Sequence, residues 1–216
     1  LEKEIILRRL LNLTKRMSAP DVHIILAEKV FDEDLSAFDR KDFMLGTLLP
    51  DIRYLAGIDR YQTHFKDLKL TDLSGDSSFM AGAKFHSIVD EARMAYLETH
   101  DVYPWLPKSQ YIHSALKFLE DEVLHDRLTD KGRFPGWFAS LPYEQIDFPV
   151  DRQCLDRWYP LLLEYLEAPP SKGRIEKLVL GMGFKREEVK ELHDVIGKIR
   201  GLPEYAKIVL DFYDNF

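Results

Sequence analysis

An all-α, multi-helix globular bundle is the fold class this chain predicts, and three observations predict it. Apolar residues recur at helical spacing along most of the length, alternating runs of strand type are scarce, and the breaks fall at Pro, Gly and Ser/Asp clusters that start and stop helices. At 216 residues, 45% apolar and 12% aromatic, the chain can bury a real core and fits one domain or one domain with a helical extension. Residues 1–17 read as an N-terminal helical leader and 18–145 as the helical core. Residues 146–216 read as a C-terminal helical extension packed on that core within one domain.

Taken in order, Ile5, Ile6, Leu10 and Leu13 stripe a first amphipathic segment. Ser18 then Pro20 reads as a cap followed by an early-helix proline, and Met17 as a plausible start. In the next helix His23, Leu26, Ala27 and Val30 share a face, so His23 points toward the core. A helix from about 40 to 49 is stopped by Pro50, because the residue before a proline is pushed out of helical backbone. Asp51 therefore lies at a break. After the polar loop 71–78, with Ser78 as cap, a long helix runs to about 99 with Phe79, Gly82, His86, Val89 and Asp90 inward. Pro104 and Pro107 exclude regular structure at 103–107. A helix over about 110–125 follows, then an aromatic connector over 131–147, then helices over about 151–167, 173–181, 186–200 and 203–216.

A formal net charge of −7 and a pI near 5.5 argue against nucleic acid and anionic membrane as partners, since an acidic surface repels phosphodiester backbones. They leave room for a small phosphorylated molecule or lipid headgroup, because a local metal site reverses the field. The lone Cys154 excludes an intrachain disulfide framework, as expected of a reducing, cytoplasmic setting, and reads as a semi-buried apolar residue. No run approaches the roughly 20 apolar residues of a membrane span, and no secretory signal is evident.

The chemistry concentrates in an ordered set: His23, Asp51, His64, then His86 and Asp90 four residues apart on one helix face. Imidazole nitrogen and carboxylate oxygen suit zinc-type divalent ions, and a catalytic site keeps one position open for water. Several such ions sharing a hydroxide would clamp the attacking and leaving oxygens of a phosphoryl transfer. Arg53 and Arg93 are candidates for holding a phosphate oxygen bidentately.

The segments Val22–Ala27, Met44–Asp51, Thr63–Phe65 and Ala81–Asp90 together resemble the zinc-dependent phospholipase C family, which includes small bacterial members and the catalytic part of glycosylphosphatidylinositol phospholipase D. The likeness covers roughly 18–126. It implies a helical fold of the phospholipase C and zinc nuclease type, with a multinuclear zinc site hydrolysing phosphodiesters. Carried over by position, it implies His23, His64, His86 and Asp90 as metal ligands and Asp51 as ligand or general base. A later His/Glu helix would complete the site, its counterpart here running from His113 to Glu122, with Glu120 as the candidate ligand. There are departures. Met94 and Tyr96 stand where the family places a further histidine, and His113 is followed four residues on by Lys117 instead of Glu. The N-terminus that secreted members use as a ligand is not available to a chain beginning well ahead of His23. The centre is thus expected to hold fewer metals or to be vestigial.

Two other readings remain open. A non-catalytic helical scaffold that kept the fold but lost the chemistry would present the aromatics around Trp105 and Trp137 to a partner. The doublets His100-Asp101, His125-Asp126 and His193-Asp194 suggest an HD-type phosphohydrolase, with nothing flanking them in support. Glycine-rich phosphate loops, a Gly-x-Ser-x-Gly elbow and a Cys/His dyad around Cys154 have no support. Oligomeric state is not legible.

Overall fold

The computed structural model describes residues 20–129 and 131–216, so the leader over 1–17 and the Ser18 cap lie outside the described residues. The described chain is helical, with no strand. The helices are α1 (Pro20–Asp34), α2 (Arg40–Thr47), α3 (Arg53–Ala56), α4 (Ser78–Thr99), α5 (Ile112–Leu124), α6 (Phe134–Phe138), α7 (Arg152–Leu166), α8 (Lys172–Gly181), α9 (Arg186–Arg200) and α10 (Pro203–Asn215). Short 3₁₀ turns join several of them, including Pro50–Ile52 and Arg60–Gln62.

Side-chain caps set several of the boundaries. Asp39, Asp151 and Ser171 accept backbone N–H groups at the starts of α2, α7 and α8, satisfying donors that a helix N-terminus leaves over. The cap of α4 is Ser77, one residue before the expected Ser78. Ser78 instead accepts from the Asp39 amide at 2.9 Å, pinning the start of α2 to the start of α4.

α2 ends at Thr47 for a reason visible in the sequence. Pro50 has no N–H to donate to the Gly46 carbonyl, so the Leu49 amide turns to Gly46 at 3.0 Å and the last turn tightens. Carbonyls near this end are then taken by side chains from elsewhere. Tyr159 donates to Leu45 at 2.9 Å and Trp158 to Leu48 at 3.0 Å, both from α7. The connection of α7 to the site thus runs through hydrogen bonds as well as packing.

α2 and α4 cross at near contact of their backbones. A methyl group on Gly46 would lie 1.9 Å from the Phe79 carbonyl oxygen, and one on Gly82 would lie 2.0 Å from that of Phe43. The Thr47 hydroxyl sits in the same crossing, within 3.0 Å of the Phe43 carbonyl and 3.2 Å of the Gly82 carbonyl. Around this pair one apolar core runs from Val22 in α1 to Phe212 in α10. α9 presents Val189, Leu192, Val195, Ile196 and Ile199, a stripe at helical spacing, to α5. The segment over 146–216 therefore shares the core of the segment before it. None of the described helices is long and apolar enough to cross a membrane.

Gly82→Ala is expected to cost about 1–3 kcal/mol or more, because backbone rather than a flexible side chain blocks the new methyl. Urea denaturation measures it, and an unchanged midpoint would mean that the crossing is looser than described.

Candidate metal centre

Four separate stretches of chain converge beneath the α2–α4 crossing. α4 contributes His86 and Asp90, α1 contributes His23, the Pro50–Ile52 turn contributes Asp51, and the loop just after the Arg60–Gln62 turn contributes His64; all five are buried. The His23 and His86 rings stack with centroids 3.9 Å apart, and His64 meets His86 edge-on at 5.0 Å. Histidine nitrogens approach the carboxylates at 3.5 Å (His23 to Asp90), 3.7 Å (His64 to Asp51) and 3.9 Å (His86 to Asp51). Two overlapping groups have ligand atoms within 4.8 Å of one another: His23, His86 and Asp90, and Asp51, His64 and His86. Both groups could hold a metal ion.

The helix end described above orients His86. Its Nδ1 lies 2.9 Å from the Thr47 carbonyl, which can only accept, so Nδ1 carries the proton and Nε2 keeps its lone pair for the site. Such a hydrogen bond to the remote nitrogen is the usual way a metal-binding imidazole is fixed. His64 is held similarly. The Arg60–Gln62 turn is closed by a capping box between Asp59 and Gln62, and His64 Nδ1 lies 2.9 Å from the Thr63 hydroxyl. The loop beyond it is tied to α4 on either side of Asp90. Phe65 N–H donates to Ser87 at 3.1 Å, and Asp67 N–H, at a left-handed backbone position, donates to Glu91.

Among the buried atoms of this arrangement that make no hydrogen bond are both oxygens of Asp51, His64 Nε2 and His86 Nε2. Buried polar atoms are otherwise nearly always satisfied, and leaving one unpaired costs about 1–3 kcal/mol. Beside them is a cavity of about 10 Å³, close to the least that admits one water, lined by His23, Thr47, Asp51, His86, Trp158 and Leu162 among others.

Asp90 is different. Lys117 donates to its Oδ1 at 2.6 Å and Arg60 to its Oδ2 at 2.7 Å. Burial alone would raise the Asp90 pKa, yet Lys117, His23, His86 and Arg60 together hold the carboxyl well below the usual range. Arg53 lies 3.6 Å from Asp51. Asp51 and Asp90 thus face Lys117, Arg60 and Arg53, and the field at this spot is not the acidic one of the whole chain.

The expected roles of Glu120 and Arg93 meet a correction. Glu120 belongs to neither ligand group. Arg93, from α4, donates through Nε and Nη2 to both Glu120 oxygens, and Tyr205 of α10 donates to Glu120 as well. With both side chains buried, this pair ties three helices together, and Glu120 takes up the Arg93 guanidinium that was expected to hold a phosphate oxygen. His113 lies beside Tyr103 and His125 is bound to the buried Asp21; none of the three His-Asp doublets belongs to either group. Arg60 and Lys117 are the residues that the sequence reading missed as part of the site. Lys117 carried a signal, a cation on the buried face of α5 where a ligand was expected.

No protein-family model, curated protein or solved structure matches this chain.

Removing Glu120 leaves the Arg93 guanidinium buried without its partner, so Glu120→Ala should lose about 3–5 kcal/mol in urea denaturation while metal uptake by the folded protein is unchanged. His64 and His86 are both kept neutral, first by burial and then by the positive charge a neighbouring imidazole would carry. In the unfolded chain both take up protons below about pH 6.5. The unfolded state then binds more protons than the folded one, so these groups destabilise the metal-free protein as pH falls below that value and have no effect well above it. The urea midpoint should drop between pH 7 and pH 5, and His64→Gln should make the drop shallower; an equally steep drop in the variant would contradict this.

Proposed function

We propose that this chain is a metal-dependent hydrolase of phosphoesters, with Asp51, His64 and His86 holding a divalent ion, zinc being the best match to the donor set. One observation carries the reading: the Asp51 oxygens and the two imidazole nitrogens are buried, mutually close and otherwise unpartnered. One carboxylate with two imidazoles is a donor set of catalytic zinc sites, which leave a further position to water.

A divalent ion held there supplies a water of lowered pKa and polarises a phosphoryl oxygen. The chain's own residues do the rest. Asp51 would help to hold the ion and, with neither oxygen engaged by another hydrogen bond, could also take up a proton. Arg53, beside Asp51, and Arg60 and Lys117, on Asp90, put positive charge next to the ligand group, which would favour a phosphorylated small molecule or headgroup and stabilise charge developing on phosphoryl oxygens. The Thr47 carbonyl keeps His86 in the ligating tautomer.

A second reading is favoured by a specific observation. Asp90 is saturated by Lys117 and Arg60, as in a helical protein that retains the cluster only as a buried ion-pair network. Elemental analysis separates the two. The hydrolase should carry or take up zinc, manganese or iron stoichiometrically and cleave bis-p-nitrophenyl phosphate. Asp51→Asn should weaken metal binding by roughly 100-fold or more and lower turnover by about 10²–10⁴-fold. A folded wild-type protein that takes up no ion would leave the network reading standing.

A further inference from the structure

The two candidate ligand groups compete for one atom. Each needs a nitrogen of His86, and Nδ1 is committed to the Thr47 carbonyl, so only Nε2 can ligate. An imidazole nitrogen has one lone pair and serves one ion. The two groups therefore cannot be filled together as they stand.

The contest has an evident winner. A metal on His23, His86 and Asp90 would need an oxygen of Asp90 at about 2.0–2.2 Å, but Lys117 and Arg60 already hold one each, at 2.6 and 2.7 Å. The oxygen taken by Lys117 is the one facing His23 at 3.5 Å. Lys117 is only 6% exposed, so its ammonium cannot retreat to solvent to make room. Neither Asp51 oxygen has a hydrogen-bond partner.

We propose, resting on the hydrolase reading above, that the centre takes a single divalent ion on Asp51, His64 and His86, and that Lys117, held by Asp90, fills the place of a second. Asp90 is then a positioning residue for two side-chain cations and not a ligand. The second positive charge beside the ion is then an ammonium fixed on α5.

The test is ion counting on the full chain, with zinc titrated into metal-free protein by calorimetry and the retained zinc measured after desalting. Wild type is expected to take up one ion, Asp90→Asn to keep it, and Asp51→Asn to lose it. In Lys117→Glu a carboxylate replaces the ammonium beside His23 and Asp90, so uptake is expected to rise to two. Circular dichroism checks the fold of each variant. If Lys117→Glu does not fold, the wild-type count and the Asp90/Asp51 pair of variants decide the question. Two or more ions in wild type, loss of the ion in Asp90→Asn with retention in Asp51→Asn, or a single ion in folded Lys117→Glu would each overturn the assignment. Wild-type protein that binds no zinc, manganese or iron would instead overturn the metal-hydrolase reading on which it stands.

Discussion

The hydrogen bond from His86 to the Thr47 carbonyl depends on two helices touching backbone to backbone. Gly46 and Gly82 permit that approach, since any side chain at either position would meet a carbonyl of the opposite helix. Pro50 supplies the other half of the condition, because a helix that continued past Thr47 would consume the carbonyl internally. Two glycines and a proline, none with any chemistry of its own, thereby decide which nitrogen of a buried imidazole is available. Asp51 reaches the same spot because the chain has just been turned by that proline.

The cluster is also a problem in charge. Two carboxylates in a buried place are costly unless compensated, and the fold compensates them unequally. Asp90 has a lysine and an arginine in direct contact, drawn from α5 and from the turn before His64. Asp51 has a guanidinium nearby but no hydrogen bond to either oxygen. This inequality, more than the mere presence of histidines, is what supports the proposal of a cation on Asp51 over a finished ion-pair network.

Much of the architecture was legible because its punctuation is local. The α9 boundaries follow from an uninterrupted apolar stripe, the end of α2 from Pro50, and the start of α7 from Asp151. The Ser77/Ser78 cap was misplaced by one residue because both are serines and only tertiary contact with Asp39 separates their roles. At the site, His86 and Asp90 were readable from i, i+4 spacing and His23 from its apolar face. The partners of the charged groups were not. Lys117 reaches Asp90, and Glu120 reaches Arg93, each across 27 residues, so spacing along α5 could place both on the buried side without saying which faced the cluster and which faced α10. Arg60 gave no signal, being a turn arginine like others in the chain.

A lysine and an arginine anchored on Asp90 belong to the polypeptide and cannot be removed by a chelator or depleted with metal supply. Stripping an ion from this hollow would leave behind a lined, electropositive recess rather than a neutral gap. Arg53, Arg60 and Lys117 would stay gathered beside the two carboxylates whatever the supply of ions.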